Sequence, residues 1–434
     1  MSFRAPNLGW SALISTRWFR PFLLLLVFGC CFAASLTAAP RNLFHELLGK
    51  SESEIDAKLD AAWNHFFAGD EKTQRLYYPV GDDMAYIADI GSSDVRSEGM
   101  SYGMTIAVQI DKKAEFDRLW KWANTYMRHA SGPRQGYFAW HCKFDGTQLS
   151  PSTASDGEEW FAMALFFASH RWGNDDKGIF NYGAEAQSLL HAMLNKPATS
   201  EVTAIFNRQE IQAVFVPNPE ASTFTDPSYH LPAFYELWSR WSSDEDDRKF
   251  WAEAARTSRA FFHRAAHPAT GLMPEYAHFD GTPFTEKKFG TGKGDFRFDA
   301  WRALANVALD HAWFDVDPWQ VEQSNRVLHF LSAQGPKFAN QFTLEGKPLS
   351  TDTSTGLIAM AAVAGLAADA DLARPFVQRL WDAPPPSGQW RYYDGLLYTL
   401  GLLQVSGRFQ LIDSAHATGK STQSVVTTEN SGHP

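Results

Sequence analysis

The clearest indication of the fold is the stretch Ser97-Glu98-Gly99-Met100-Ser101-Tyr102-Gly103-Met104, which continues as Thr105-Ile106-Ala107-Val108-Gln109-Ile110. Its residues are small or apolar on nearly every side, apart from one carboxylate at the entrance, Glu98. A helix that is apolar all round is buried, so we predict an inner helix that begins here. The carboxylate either offsets the helix dipole or takes part in chemistry, and for Glu98 alone the dipole role is the simpler interpretation.

Similar apolar segments recur along the chain and alternate with amphipathic ones. The apolar segments begin near Glu98, Gly157, Tyr229, Asp299, Thr355 and Asp394. The amphipathic segments lie near 53–67, 114–129, 182–195, 247–265, 318–333 and 371–381. Because a helix with one polar face lies at the periphery, the alternation predicts an all-α fold. We expect a single (α/α)6 toroid over residues 40–412, with six inner helices wrapped by six outer helices.

Composition narrows the possible partners. The chain has 434 residues and a formal net charge of -10, which argues against nucleic-acid binding because phosphate recognition needs a basic surface. Its 16 Trp and 13 Tyr residues are numerous, and aromatic rings form platforms for sugars as well as core contacts. The composition therefore weakly favours a carbohydrate ligand. We expect no obligatory protein partner and a monomer.

Residues 1–39 are predicted to be an export signal rather than part of the fold. A basic region precedes an apolar run at 22–28, and small residues follow it. The run is too short for a typical membrane span, so a cleaved signal is preferred over an uncleaved anchor. We expect export to the periplasm or the medium. A lipoprotein at Gly29-Cys30 is a further alternative.

The predicted signal cleavage also determines how many cysteines the mature chain keeps. Cleavage after Ala34 or later would remove Cys30 and Cys31 and leave Cys142 alone, which precludes an intrachain disulfide. At the other end, residues 413–434 are rich in Ser, Thr and Gly and poor in apolar residues, and we predict a disordered tail.

Three acidic residues share one context, at or just before the start of a predicted inner helix: Glu98, Asp156 and Asp299. Each alone could be a helix cap or a dipole partner. In a toroid the entrances of the inner helices converge on one cleft, and a set of carboxylates there suits glycoside hydrolysis, which needs a proton donor and a second carboxylate. Glu158 and Glu159 compete with Asp156, and dipole compensation is expected for at least one of them.

Four motifs resemble glycoside hydrolase family 8, within a similarity that runs from about Asp94 to Gln404. They are Asp94-Val95-Arg96-Ser97-Glu98-Gly99-Met100-Ser101-Tyr102-Gly103-Met104, Gly136-Tyr137-Phe138-Ala139-Trp140, Asp156-Gly157-Glu158-Glu159-Trp160-Phe161-Ala162-Met163-Ala164 and Asp299-Ala300-Trp301-Arg302. The resemblance implies an inverting enzyme on an (α/α)6 barrel. It also implies that Glu98 is the general acid, that Asp299 is the general base for water, and that Asp156 binds and distorts the sugar.

Further residues are candidates for contact with substrate or base. Arg302 lies one turn after Asp299, where it could orient the base or a sugar hydroxyl, or could only fix the helix through an ion pair. For substrate binding we select Tyr102, Trp140, Tyr392 and Tyr393. The two adjacent tyrosines match a family position where a tyrosine lines the cleavage subsite, and the sequence leaves open which one faces the cleft.

The resemblance also suggests the substrate. The run Glu115-Phe116-Asp117-Arg118-Leu119-Trp120-Lys121-Trp122-Ala123 is most similar to the family members that release xylose from the reducing end of xylo-oligosaccharides. That group carries a histidine in the loop before the fifth inner helix, whereas the stretch Ser350-Thr351-Asp352-Thr353-Ser354-Thr355 has none. An endo-acting xylanase, endoglucanase or chitosanase of the same family is therefore the alternative.

Two other classes of protein fit these residues less well. A non-catalytic glycan-binding toroid would not require an acid and a base together, and a polysaccharide lyase would need a basic cleft. No metal or other cofactor is expected, because the histidines lack metal-ligand spacing. The run Gly290-Thr291-Gly292-Lys293-Gly294 lacks the rest of a phosphate-loop pattern, and we predict a flexible loop beside the cleft.

Overall fold

Six inner helices form the centre of the computed structural model, which describes Met1 and residues 40–413. They are α3 (Ser97–Gln109), α5 (Ser155–Trp172), α7 (Pro232–Trp241), α9 (Ala300–Phe314), α11 (Thr355–Ala364) and α13 (Arg391–Val405). Most of their residues are buried, as expected for helices that are apolar all round. The predicted export signal, and the predicted tail from Ser414 onward, lie outside the described residues.

Six outer helices alternate with the inner ones along the chain. They are α2 (Glu52–Trp63), α4 (Lys113–Trp122), α6 (Tyr182–Asn195), α8 (Glu245–Ala265), α10 (Trp319–Ala333) and α12 (Ala370–Asp382), and a short helix, α1 (Leu43–Leu48), precedes them. Two outer helices end in a π-helical turn, Asn64–Ala68 and Ala123–Met127, which accounts for the longer amphipathic segments in the sequence. The structure confirms the predicted (α/α)6 barrel.

The inner helices close into a ring. The first inner helix, α3, packs against α5 on one side and against α13, the last, on the other. Along the rest of the ring, α7 packs against α9, α9 against α11 and α11 against α13, while Trp160 of α5 meets Phe234 of α7 with ring centroids 5.0 Å apart. The entrances of all six inner helices therefore belong to one closed ring.

One inner helix begins later than predicted. A carboxylate, Asp226, accepts a hydrogen bond of 2.7 Å from Ser228 N and caps a 3-10 turn at Pro227–Tyr229. The helix α7 then starts at Pro232, not near Tyr229, because proline suits the first helical position, where its missing N–H is not needed.

Short strands accompany the helices. Five antiparallel strands follow one another in the order β1 (Tyr77–Val80), β2 (Met84–Asp89), β3 (Asp94–Arg96), β4 (His141–Cys142) and β5 (Gln148–Ser150), and β6 (Phe206–Asn207) pairs with β7 (Gln212–Ala213). The pairing of Arg96 with His141 fastens the segment around Trp140 beside the entrance of α3. Helical periodicity alone did not predict these strands, which add a small sheet to the helical barrel.

No helix within residues 40–413 combines the length and the apolar character that a membrane span requires.

Candidate active site

Arg302, in the first turn of α9, binds all three predicted carboxylates. Its Nη1 lies 2.9 Å from Asp156 Oδ2 and 3.0 Å from Glu98 Oε2, and its Nη2 lies 3.2 Å from Asp299 Oδ1. The arginine side chain is only 6% exposed. One cation thus faces three carboxylates in a buried place, an arrangement that favours protonation of one of them. Arg302 does more than fix its own helix, because its partners lie on three different inner-helix entrances.

The Glu98 carboxyl is held at both oxygens. Oε1 accepts a hydrogen bond of 3.0 Å from the Tyr392 hydroxyl, and Oε2 accepts one from Arg302. Tyr392 can approach this closely because the residue that follows Glu98 is a glycine. A Cβ added at Gly99 would lie 2.6 Å from the Tyr392 ring. The contact between α3 and α13 therefore depends on glycine at this position.

These contacts decide which oxygen of Glu98 can carry a proton. Burial raises the pKa of the Glu98 carboxyl to about 7; Arg302 opposes the rise, and the charges of Asp156 and Asp299 add to it. The guanidinium can only donate, so Oε2 must remain an acceptor. A tyrosine hydroxyl can donate or accept, so the proton of neutral Glu98 belongs on Oε1, next to Tyr392.

Asp156 is the most enclosed of the three carboxylates. Its side chain is 5% exposed, and Oδ1 accepts a hydrogen bond of 2.9 Å from the backbone N–H of Gly157 while Oδ2 meets Arg302. Burial raises the pKa of Asp156, Arg302 opposes that rise and Asp299 adds to it. The side chain is fixed at the entrance of α5 with both oxygens occupied.

Asp299 is the most open of the three, with a side chain 26% exposed against 17% for Glu98. In the described part of the chain, its carboxylate contacts are the ion pair with Arg302 and a hydrogen bond of 3.5 Å from the Tyr393 hydroxyl, both at Oδ1. The residue precedes α9 with helical backbone angles and no side-chain cap contact. Such a carboxylate is free to meet a water molecule.

The predicted aromatic residues take different places. Tyr102 is fully buried, and its hydroxyl accepts a hydrogen bond of 2.7 Å from Arg302. It therefore contacts the arginine of the site and is not exposed to solvent. Tyr392 is buried against Glu98, whereas Tyr393 is partly exposed and donates to the backbone oxygen of Phe298 at 3.1 Å. Both tyrosines thus reach the site, each at a different carboxylate.

Trp140 lies at the edge of this cluster. It is partly exposed, and its ring stacks on His141 with centroids 3.6 Å apart. The Arg96 guanidinium lies 5.6 Å from the Trp140 ring and 6.0 Å from the Tyr392 ring, so it bridges the tryptophan to the buried site.

Comparison with known proteins assigns the chain to a family. The model of "Glycosyl hydrolases family 8" matches residues 80–407, which contain all the carboxylates described above.

The chain belongs to glycosyl hydrolase family 8.

Individual relatives of this family 8 chain are similar over nearly their whole length. It is 50% identical over 380 residues to the reducing-end xylose-releasing exo-oligoxylanase Rex8A of Paenibacillus barcinonensis, covering 86% of this chain and 97% of the relative. A reducing end xylose-releasing exo-oligoxylanase of Halalkalibacterium halodurans is 44% identical, with 87% and 96% covered. A solved catalytic mutant of a family 8 xylanase from Teredinibacter turnerae, complexed with xylohexaose, is 44% identical, with a TM-score of 0.84 and 86% and 97% covered.

Sequence reasoning missed a fourth carboxyl group in this family 8 site. Asp226 is fully buried, and its Oδ2 has no hydrogen-bond partner among residues 40–413. Burial raises the pKa of Asp226, and the charge of Asp299 adds to the rise. Its neighbour Ser228 accepts a hydrogen bond of 2.9 Å from Arg302 Nη2. The rule that selected the other three, a carboxylate just before an inner helix, also fits Asp226.

Glu158 lies in the first turn of α5, where dipole compensation is expected, and both Glu158 and Glu159 make further contacts. Both side chains are fully buried, and burial raises the pKa of each. Glu158 Oε1 accepts a hydrogen bond of 2.9 Å from Phe138 N, and Glu159 Oε1 accepts one of 2.6 Å from the Tyr235 hydroxyl. These glutamates therefore tie α5 to the segment before Trp140 and to α7.

Within the described residues, no group of three His, Cys, Asp or Glu side chains is arranged to hold a metal ion.

Proposed function

We propose that this family 8 enzyme cleaves β-1,4-xylosidic bonds of xylo-oligosaccharides with inversion and releases xylose from the reducing end. The observation that carries the proposal is the convergence of Glu98, Asp156 and Asp299 on one buried guanidinium, that of Arg302. The high identity to reducing-end xylose-releasing exo-oligoxylanases supports the choice of substrate.

In this mechanism Glu98 is the general acid. Its raised pKa, about 7, keeps a large fraction protonated near neutral pH. The proton on Oε1 passes to the glycosidic oxygen as the bond from that oxygen to the sugar C1 breaks. Tyr392, which contacts Oε1, fixes the orientation of the carboxyl.

Asp299 is the general base on the other side of the sugar. It accepts a proton from a water molecule while the water oxygen bonds to C1 opposite the departing oxygen, which inverts the anomeric configuration. Inverting enzymes separate acid and base by roughly 6.5 to 9.5 Å so that water fits between them. The arrangement is compatible with this, since Glu98 and Asp299 occupy different nitrogens of Arg302 and Asp299 is the more exposed.

The other site residues bind and distort the sugar. We assign to Asp156 the contact with the sugar at the cleavage point, and to Arg302 the alignment of all three carboxylates. Among the four aromatic residues selected from the sequence, Trp140 and Tyr393 are partly exposed and offer surfaces for sugar rings. Tyr102 and Tyr392 act indirectly, through their hydrogen bonds with Arg302 and Glu98 respectively.

An endo-acting xylanase is the second candidate. Two observations favour it: the segment Ser350–Thr355 before α11 has no histidine, and a relative of 44% identity is described as a xylanase in complex with xylohexaose. An open cleft would let a chain extend past the reducing-end side of the cleavage point.

Product analysis separates the two candidates. Xylohexaose labelled at its reducing end is incubated with the enzyme, while NMR follows the anomeric configuration of the products. Early release of labelled xylose alone, with inversion, supports the exo-oligoxylanase. A spread of internal products establishes the endoxylanase, and lack of cleavage moves the assay to glucan and chitosan.

We also propose that the enzyme is exported, to the periplasm or the medium, and acts as a monomer whose catalytic domain spans 40–412. The basic and apolar order of residues 1–39 supports export, although an uncleaved anchor or lipoprotein would share it. Fractionation of the producing cells and light scattering of the purified enzyme test these two statements.

A further inference from the structure

The position of Asp299 depends on the backbone that leads to it. The carboxylate itself is held at Oδ1 alone, by contacts of 3.2 Å and 3.5 Å from Arg302 and Tyr393. Asp299 directly follows the segment 286–298, which includes the glycine-rich run Gly290-Thr291-Gly292-Lys293-Gly294. A shift of about 1 Å in a reacting group can lower a rate about a hundredfold, so the attachment of this segment matters.

A part-buried ion pair attaches the segment. Lys293 Nζ binds Glu275 Oε1, and the two side chains are 23% and 3% exposed. The backbone supports the same contact, because Tyr276 N donates to Lys293 O at 2.7 Å and Glu275 N donates to Asp295 O at 2.9 Å. Lys293 Nζ also lies 4.6 Å from the centroid of the Tyr276 ring.

The glycine-rich run is therefore less free than its composition suggests. Gly290 and Gly292 have φ values of 113° and 74°, which other residues rarely adopt. Between these two glycines and Asp299, the segment is anchored at Lys293, at Asp295 and, through two hydrogen bonds with Phe342, at Phe296. The lysine is the point where the glycine-rich part becomes fixed.

We propose that Lys293 and Glu275 are positioning residues for Asp299, and that their part-buried ion pair fastens the segment 286–298 so that the base carboxylate faces the cleft. The proposal rests on the function proposed above for Asp299. It assigns the glycine-rich run a role in placing the base, rather than that of a flexible loop beside the cleft.

The ion pair of Lys293 and Glu275 is sensitive to substitution because the Glu275 carboxyl lies close to the negative charge of Asp299. Burial raises the pKa of Glu275 to about 7, the charge of Asp299 adds to the rise, and Lys293 opposes it. The second oxygen of Glu275, Oε2, is buried and has no hydrogen-bond partner within the described residues. Without the lysine, Glu275 would lose its ammonium partner close to Asp299 and the segment would lose its side-chain anchor.

The test compares two lysines of the same segment. Lys293→Met removes the ion pair with Glu275, and Lys293→Arg keeps the charge. Lys288→Met is the matched control, because Lys288 is 51% exposed and pairs on the surface with Glu220 and Glu286. For each variant we would measure kcat and KM on xylo-oligosaccharides, the melting temperature, and hydrogen–deuterium exchange of peptides covering 286–298.

We expect Lys293→Met to lower kcat about tenfold or more with KM changed less than about twofold, since the base is misplaced while the binding groups remain. Exchange in 286–298 should rise, Lys293→Arg should recover most of kcat, and Lys288→Met should match the wild type. A Lys293→Met enzyme with wild-type kcat, or with unchanged exchange in 286–298, would overturn the proposal.

The exchange measurement needs no substrate, so it separates this proposal from the proposed function. A wild-type enzyme inactive on xylo-oligosaccharides would refute the substrate assignment. Unchanged exchange in Lys293→Met would refute the role of the ion pair, whatever the substrate.

Discussion

The Tyr392 hydroxyl donates a hydrogen bond of 3.0 Å to Glu98 Oε1, across 294 positions of sequence. Glu98 lies at the start of the first inner helix, α3, and Tyr392 at the start of the last, α13. The ring of inner helices therefore closes at the candidate acid. One contact thus joins the first and last inner helices and holds the Glu98 carboxyl, and this relationship leads to the first predictions.

Glu98→Gln should fold normally and lose most of its activity. The amide keeps the size of the side chain and an oxygen for Arg302, but it cannot donate a carboxyl proton. A general acid contributes about 10²- to 10⁴-fold, so we expect a loss of this size in kcat. Release of reducing sugar measures it, and circular dichroism checks the fold. An active Glu98→Gln enzyme would refute the assignment.

The pH profile should show the state of Glu98. Because the acid must be protonated and its pKa is about 7, kcat/KM should fall as pH rises through about 7. Tyr392→Phe removes a donor that favours the charged carboxylate, so the fall should move to higher pH by about half a unit or more. Tyr393→Phe is the matched control, because its hydroxyl faces Phe298 and Asp299, and it should leave this limb in place. An unmoved limb in Tyr392→Phe would contradict the proposed role of the contact.

Asp299→Asn should stop turnover without preventing binding. The amide cannot accept the proton of water, and we expect kcat to fall at least about a hundredfold while the xylohexaose Kd changes little. Isothermal titration calorimetry measures binding. The same substitution at Asp315, the left-handed residue after the other end of α9, is the control, since asparagine also tolerates that conformation. Equal losses in both variants would show a general effect on α9 instead.

Arg302→Met should destabilise the protein, and more so at high pH. Removal of one partner of a buried ion pair costs about 3 to 5 kcal/mol. Arg302 lowers the raised pKa values of Glu98 and Asp156, so both carboxyls should stay protonated to higher pH without it. Their ionisation then opposes folding as pH rises, and the loss should be larger at pH 8 than at pH 5. Urea unfolding at both pH values measures this, with Arg256→Met, whose side chain is 62% exposed, as the control.

Thiol titration tests removal of the predicted export signal. The full chain has three cysteines, and cleavage after Ala34 or later leaves Cys142 alone. Cys142 is buried, and burial raises the pKa of its thiol to about 12, so the folded enzyme should react slowly with thiol reagents. After denaturation, exported enzyme should give one thiol per chain. Three thiols would show that the N-terminal segment is retained.

Local sequence patterns were enough to predict the barrel and its three carboxylates. Apolar helices alternate with amphipathic ones in a local pattern, and burial follows from whether a helix has a polar face. Glu98, Asp156 and Asp299 were found because each stands at the entrance of an apolar segment, which is also a local feature. The later start of α7 and the short strands were missed, since they depend on caps and pairings outside the helical period.

The contacts that connect the site's residues depend on how whole helices pack, which local sequence does not specify. Arg302 meets Glu98 across 204 positions and Asp156 across 146, and no periodicity specifies which nitrogen each carboxylate takes. The separate places of Tyr392 and Tyr393, the burial of Tyr102, and the pairing of Lys293 with Glu275 are likewise contacts between distant segments. Local sequence sets which residues enter a helix, whereas the packing of whole helices sets which side chains meet and how their pKa values shift.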